Sequence, residues 1–161
     1  MSDIQIRSGT IEDSSVILQF ITELATYERA KNEVIATVDD IQKTLFGKGA
    51  TAHSLICSKD KECIGFAVYF YNYSTWLGKN GLYLEDLYIS PKFRGQGAGI
   101  KLLKHLAAIA VANDCGRFEW SVLDWNEPAI KLYESFGAKA QNEWVGYRLE
   151  GSALENFAKE K

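Results

Sequence analysis

One stretch of this 161-residue chain constrains its fold more than any other. An apolar strand pattern, Leu82 to Ile89, runs into Arg94-Gly95-Gln96-Gly97-Ala98-Gly99, and a helical pattern follows over 97–113. Glycine has no Cβ, so its backbone N–H can approach a ligand closely. A loop that opens a helix adds free N–H groups and the positive end of the helix dipole. Strand, glycine loop and helix start therefore describe either a phosphate cradle or a glycine-rich turn without a ligand. A P-loop is excluded, because no Lys-Ser or Lys-Thr follows the glycines. The dinucleotide fingerprint G-x-G-x-x-G is excluded too, because Ile100 stands where the third glycine belongs. What remains is R-G-x-G-x-G.

The surrounding periodicity predicts an α/β (mixed α+β) fold. Residues 3–7 alternate as a first strand. Thr10-x-x-Asp13 resembles a capping box ahead of the stripe Val16, Ile17, Phe20, Ile21, Leu24 and Ala25. Thr37-x-x-Asp40 predicts a second, shorter helix. Residues 52–58 and 62–72 read as a hairpin around Lys59-Asp60-Lys61, followed by a strand over 81–90. After the glycine loop and its helix come a strand from Arg117 to Val122 and a helix that opens at Pro128 and stops at Gly137. Residues 144–149 read as a last strand, and Ser152-x-x-Glu155 as the cap of a terminal helix. The order β-α-α-β-β-β-α-β-α-β implies a mixed, mostly antiparallel sheet, with a parallel pair across the glycine loop and helices on both faces.

Composition narrows the class. Hydrophobic residues at 47% and charged residues at 24% suit one soluble globular domain over 1–161. A net charge of -3 without a basic tract or zinc-finger spacing argues against a nucleic-acid partner. No apolar run is long enough for a bilayer, and the first residues lack a signal-peptide pattern, so a cytoplasmic protein without membrane contact is expected. Cys57, Cys63 and Cys115 lack metal-ligand spacing and read as reduced thiols; no metal is expected.

Several residues carry chemistry. Glu85 and Asp86 interrupt an apolar strand. Strict alternation places Leu82, Leu84, Asp86 and Tyr88 on one face and Tyr83, Glu85, Leu87 and Ile89 on the other. A buried carboxylate is costly without a partner and its pKa rises, which marks either a functional pair or a structural hydrogen bond. Tyr133 is either a core aromatic or a proton donor. Asn126 is a cap or a ligand contact. His53 and His105 are isolated, with no nucleophile at a triad spacing. The run Tyr69 to Tyr71 reads as strand packing.

Arg94-Gly-Gln-Gly-Ala-Gly99 after a strand, with Asn126-Glu-Pro-Ala129 and Tyr133 downstream, resembles the GNAT superfamily of acetyl-CoA-dependent N-acetyltransferases. Tyr27-Glu28, Tyr73-Ser-Thr-Trp76, Tyr83-Leu-Glu-Asp86 and Trp125-Asn-Glu-Pro128 resemble its spermidine/spermine (diamine) branch, which includes thialysine acetyltransferases. The resemblance implies that backbone groups of Leu87, Tyr88 and Ile89 bind the pantetheine arm of acetyl-CoA. It implies that Arg94, Gly95, Gln96, Gly97, Ala98, Gly99 and Ile100 wrap the pyrophosphate, and that Asn126, Glu127, Pro128 and Ala129 contact the cofactor from the other side. Glu85 would assist deprotonation of the acceptor amine, and Tyr133 would protonate the leaving thiolate. Tyr27, Glu28, Trp76, Glu85 and Asp86 would line a small-molecule amine site, in part across the interface of a homodimer. Ser74 stands where polyamine enzymes carry an acidic residue, and Glu143 to Tyr147 departs from the branch pattern. Both departures point to a short diamine or a lysine-like acceptor rather than spermine. A protein-lysine or N-terminal acetyltransferase and a silent CoA-binding module are the rival readings.

Overall fold

Local sequence explains where the elements start. In the computed structural model, which describes residues 3–160, strand β1 (Gln5–Ser8) leads through a short 3-10 turn into helix α1 (Ser14–Tyr27). The Asp13 carboxylate accepts the Thr10 backbone N–H at 2.7 Å and both guanidinium nitrogens of Arg7 at 2.7 and 2.9 Å. The Arg7 hydrogen bonds hold the buried Asp13 carboxyl below its usual range. Helix α2 (Val38–Phe46) starts with the expected reciprocal cap between Thr37 and Asp40. Strands β2 (Ala52–Lys59) and β3 (Glu62–Ser74) join where Asp60 and Lys61 both take positive φ, 51° and 67°, as a tight hairpin of right-handed twist requires.

Strand β4 (Lys79–Ile89), helix α3 (Ala98–Ala112) and the short strand β5 (Phe118–Trp120) complete a five-stranded sheet of order β1-β2-β3-β4-β5. The first three pairings are antiparallel and β4 with β5 is parallel, as the crossover through α3 demands. On one face, Ile17 and Phe20 of α1 pack with Ile56, Phe66 and Tyr88, and the Phe20 and Phe66 rings stack at 5.7 Å. On the other, α3 buries Leu102 and Leu106 and packs on β4. The mixed sheet with helices on both faces is the predicted one, although β5 is shorter than the expected 117–122.

The described residues divide into two compact units, one ending at Leu123 and one beginning at Asp124. In the second, helix α4 (Glu127–Ser135) carries Pro128 in its first turn, and Gly137 follows with φ 98°. Two expectations fail here. Residues 144–149 form no strand, and Trp144, Val145 and Tyr147 are 67%, 75% and 98% exposed. An apolar alternation shows only that side chains suit a pleated surface; it does not supply the neighbouring edge that a ladder also needs. The last helix, α5 (Gly151–Lys159), begins one residue before Ser152 behind an extended Glu150, so Ser152 is not its cap.

Candidate active site

The site is built around an irregularity in β4. Val68 of β3 faces Asp86, but its neighbour Tyr69 faces Leu84, so Glu85 is an extra residue in the ladder. A bulge re-aims every side chain beyond it. Asp86 and Tyr88 lie opposite Val68 and Phe66, under α1, whereas Leu82 and Leu84 pair with Tyr71 and Tyr69 on the other face. The strict alternation expected from the sequence is therefore wrong at this point. Period-two counting puts all four residues on one face, and a one-residue bulge breaks that count.

The bulge gathers carboxylates. Glu85 is exposed and Asp86 half-buried. Burial pushes the Asp86 carboxyl up to about 6, and repulsion from Glu85 and Glu28 adds to it. Glu28, just past the C-terminus of α1, is also raised, first by desolvation and then by Glu85. Three carboxylates that repel one another at one spot suit a cationic ligand, because an ammonium relieves the repulsion. Tyr27, the last residue of α1, directly precedes Glu28. Sequence reasoning missed Glu23, one turn earlier on the same helix. One of its carboxylate oxygens is out of contact with water and has no hydrogen-bond partner, and its charge reaches Tyr88. A polar residue inside an apolar helical stripe was the available signal.

Beside these residues β4 opens. Its parallel ladder with β5 runs only from Leu82 and Phe118 to Leu84 and Trp120. From Glu85 to Ile89 the outer edge of β4 faces no other strand among the described residues. Such an edge offers backbone donors and acceptors to an extended ligand. Leu87, Tyr88 and Ile89 lie on it.

The glycine loop follows. Gly95 and Gly97 have φ of 77° and 85°, which side-chain-bearing residues rarely adopt, and Gly97 is the N-cap of α3. A Cβ built at Gly95, Gly97 or Gly99 would meet no heavy atom within 4 Å. The space over the loop is thus open, and the first N–H groups of α3, at Ala98, Gly99 and Ile100, lie at its rim. This geometry fits a pyrophosphate. Lys59 was missed by sequence reasoning; from the β2–β3 hairpin its Nζ donates to Gln96 Oε1, which brings a cation to a loop whose own stretch holds none beyond Arg94. Its only sequence signal was a lysine in a turn far from the loop. The Arg94 side chain turns elsewhere. Its Nε donates to Ile89 O at 2.8 Å, and its guanidinium lies 5.4 Å from the Tyr27 ring centre and 5.3 Å from that of Tyr88.

One expected residue of the first unit, Trp76, is not gathered here. Trp76 sits in the β3–β4 turn, 79% exposed under the Arg117 guanidinium. It is roughly 20 Å along the strand from Asp86 at ~3.3 Å per residue. Ser74 is buried in that turn, and its hydroxyl accepts the Leu77 N–H at 3.2 Å. In the second unit, Asn126 precedes α4, Glu127, Pro128 and Ala129 form its first turn, and the half-buried Tyr133 ring meets Phe136 edge-on at 6.2 Å. His53 stacks on Tyr69 at 5.2 Å and serves packing. Among the described residues no group of His, Cys, Asp and Glu could hold a metal, and no helix is long and apolar enough to cross a membrane.

Comparison with known proteins is specific. The acetyltransferase (GNAT) family model matches residues 18–138. The thialysine N-epsilon-acetyltransferase of Sus scrofa is 36% identical over 98% of this chain and 99% of its own length. A human spermidine/spermine N(1)-acetyltransferase-like protein 1 is 32% identical over all of this chain, which spans 24% of that longer protein. Among solved structures, an integron cassette protein from the mobile metagenome of V. cholerae superposes with a TM-score of 0.81 at 28% identity, covering 98% of both chains.

Proposed function

The chain belongs to the acetyltransferase (GNAT) family, and from that premise we propose that it transfers acetyl directly from acetyl-CoA to a primary amine of a small diamine, polyamine or lysine-like acceptor such as thialysine. The observation that carries this reading is the meeting of Glu28, Glu85 and Asp86 at the point where β4 leaves its neighbour and runs toward the glycine loop. The full-length similarity to a thialysine acetyltransferase supports the acceptor class.

Acetyl-CoA brings a thioester, which an amine attacks without a covalent enzyme intermediate. The rest falls to this chain. Backbone N–H groups at Gly97 to Ile100 hold the pyrophosphate, and the open edge at Leu87 to Ile89 holds the pantetheine arm as a strand-like element. An ammonium is not a nucleophile, so Glu85, the exposed carboxylate of the bulge, accepts its proton directly or through one water. Tyr133 donates a proton to the departing thiolate, and a backbone N–H of the bulge polarises the carbonyl. Asn126 to Ala129 complete the cofactor contacts. Asp86, Glu28 and Tyr27 hold the cationic acceptor. Trp76 is supplied by the second copy of a homodimer, which reconciles its place in the distant hairpin with a role in the amine site. Residues 1–161 act as one catalytic domain. A cytoplasmic location accords with three free cysteines, of which buried Cys57 has its thiol pushed up to about 11.

The test is kcat/KM for thialysine, lysine, ornithine, a short diamine, spermidine and spermine under one set of conditions. Thialysine or a short diamine should lead. Spermine as the best acceptor would overturn the argument from Ser74, and turnover of a peptide amine alone would overturn the small-amine reading.

A further inference from the structure

The side chain of Arg94 leaves the glycine loop and engages the acceptor side of the site. Its Nε is hydrogen-bonded to Ile89 O at 2.8 Å. Its guanidinium lies against two aromatic rings, Tyr27 at 5.4 Å and Tyr88 at 5.3 Å. Tyr88 is buried in the core under α1, packed at 5.9 Å from Phe20, and is a fixed platform. Tyr27 is the last residue of α1 and is 45% exposed. Immediately after it the chain turns, with Glu28 N–H bonded to Leu24 O, Arg29 N–H to Thr26 O and Ala30 N–H to Ala25 O. A planar cation in contact with both a fixed ring and an exposed one ties the exposed ring down. The end of α1 is thereby attached to β4 through a residue of the loop that cradles phosphate.

We propose that Arg94 is a positioning residue for the acceptor site: it pins Tyr27, and with it Glu28, over the carboxylates of the β4 bulge. This rests on the reading that those carboxylates receive the amine. It assigns the Arg94 side chain a task distinct from charge neutralisation at the pyrophosphate, which the loop's backbone groups and Lys59 are placed to serve. It also links the two ligands, because a loop that settles on acetyl-CoA settles the acceptor side through the same guanidinium.

Lysine separates the two tasks, since it keeps the positive charge and loses both the planar guanidinium and the Nε donor. In Arg94→Lys the KM for thialysine should rise about tenfold, while kcat and acetyl-CoA affinity by calorimetry stay within about threefold. Adding Arg94→Lys to Tyr27→Leu should change KM by less than about twofold, because the two side chains act as a unit. Amide hydrogen exchange gives a readout that needs no substrate. In the free protein carrying Arg94→Lys or Arg94→Met, the amides of Glu28, Arg29 and Ala30 should exchange about tenfold faster, with those of Leu102 to Leu106 unchanged. Unchanged exchange at Glu28 to Ala30 in both variants overturns the proposal. So does a loss of acetyl-CoA affinity in Arg94→Lys with acceptor KM unmoved. Faster exchange with a wild-type protein that acetylates no small amine keeps the anchor and sinks the acceptor reading. Unchanged exchange with a wild-type protein that acetylates thialysine does the reverse.

Discussion

The two halves of β4 share a strand and differ in everything that matters for chemistry. From Leu82 to Leu84 the strand lies between β3 and β5, Leu82 is fully buried, the Tyr83 ring packs on Phe70 at 5.3 Å, and its hydroxyl bonds to Ser121 at 2.7 Å. From Glu85 to Ile89 the strand keeps β3 and, among the described residues, faces no strand on its other side. The bulge at Glu85 marks the boundary. Where the ladder is closed, side chains serve packing. Where it opens, backbone groups become available to a ligand and three carboxylates converge. A single inserted residue thus separates a structural half from the half proposed to bind and react.

The comparison breaks most visibly in activity. Glu85→Gln should lower kcat/KM for the acceptor by roughly 10²–10⁴, and Tyr133→Phe should lower kcat by a similar factor with acetyl-CoA binding little changed. Tyr83→Phe, which loses one hydroxyl in the closed half, should leave kcat within about twofold. Near-normal turnover in Glu85→Gln would remove the bulge from the chemistry. The reverse contrast is in stability. Leu82→Ala, in the closed half, should cost about 2–5 kcal/mol in denaturant unfolding, whereas Glu85→Gln should cost less than about 1 kcal/mol.

Asp86 gives a pH signature of intermediate size. Its folded carboxyl, raised to about 6, exceeds the ordinary value of 3.8. Between about pH 4 and 6 the folded protein therefore keeps a proton that the unfolded chain has released, so stability falls as pH rises through that window and levels off above it. The drop is at most about 3 kcal/mol, and Asp86→Asn should abolish it. A pH-stability curve of the same slope in Asp86→Asn would show that the strain lies elsewhere. The smallest effect expected is at Gly99, where a Cβ meets no protein atom and φ is not positive. Gly99→Val should leave stability intact and weaken acetyl-CoA binding about tenfold, because the added side chain occupies only the ligand's space. Unchanged affinity would mean that the loop is a turn without a ligand.

Much of this was legible in sequence, for identifiable reasons. Thr37 and Asp40 cap a helix because a short local pattern suffices, and the glycines at 95 and 97 take positive φ because little else can. Glu85 and Asp86 stand out as carboxylates in an apolar strand, and Glu28 by its family pattern. Three things lay beyond local reasoning. The bulge at Glu85 depends on how β3 pairs, a non-local fact, and it turned a correct period into a wrong face. The absent strand at 144–149 depends on the presence of a partner edge. The placement of Lys59 beside Gln96 depends on the sheet bringing a hairpin next to a loop far along the chain.

The central claim is that the open half of β4 and the glycine loop form the acetyl-CoA site. Amide hydrogen exchange across the whole chain, with and without saturating acetyl-CoA, tests it most directly. Added protection should concentrate at Leu87 to Ile89 and Gly95 to Ile100, with Leu82 to Leu84 unchanged. Binding with no new protection in those two segments would contradict the account.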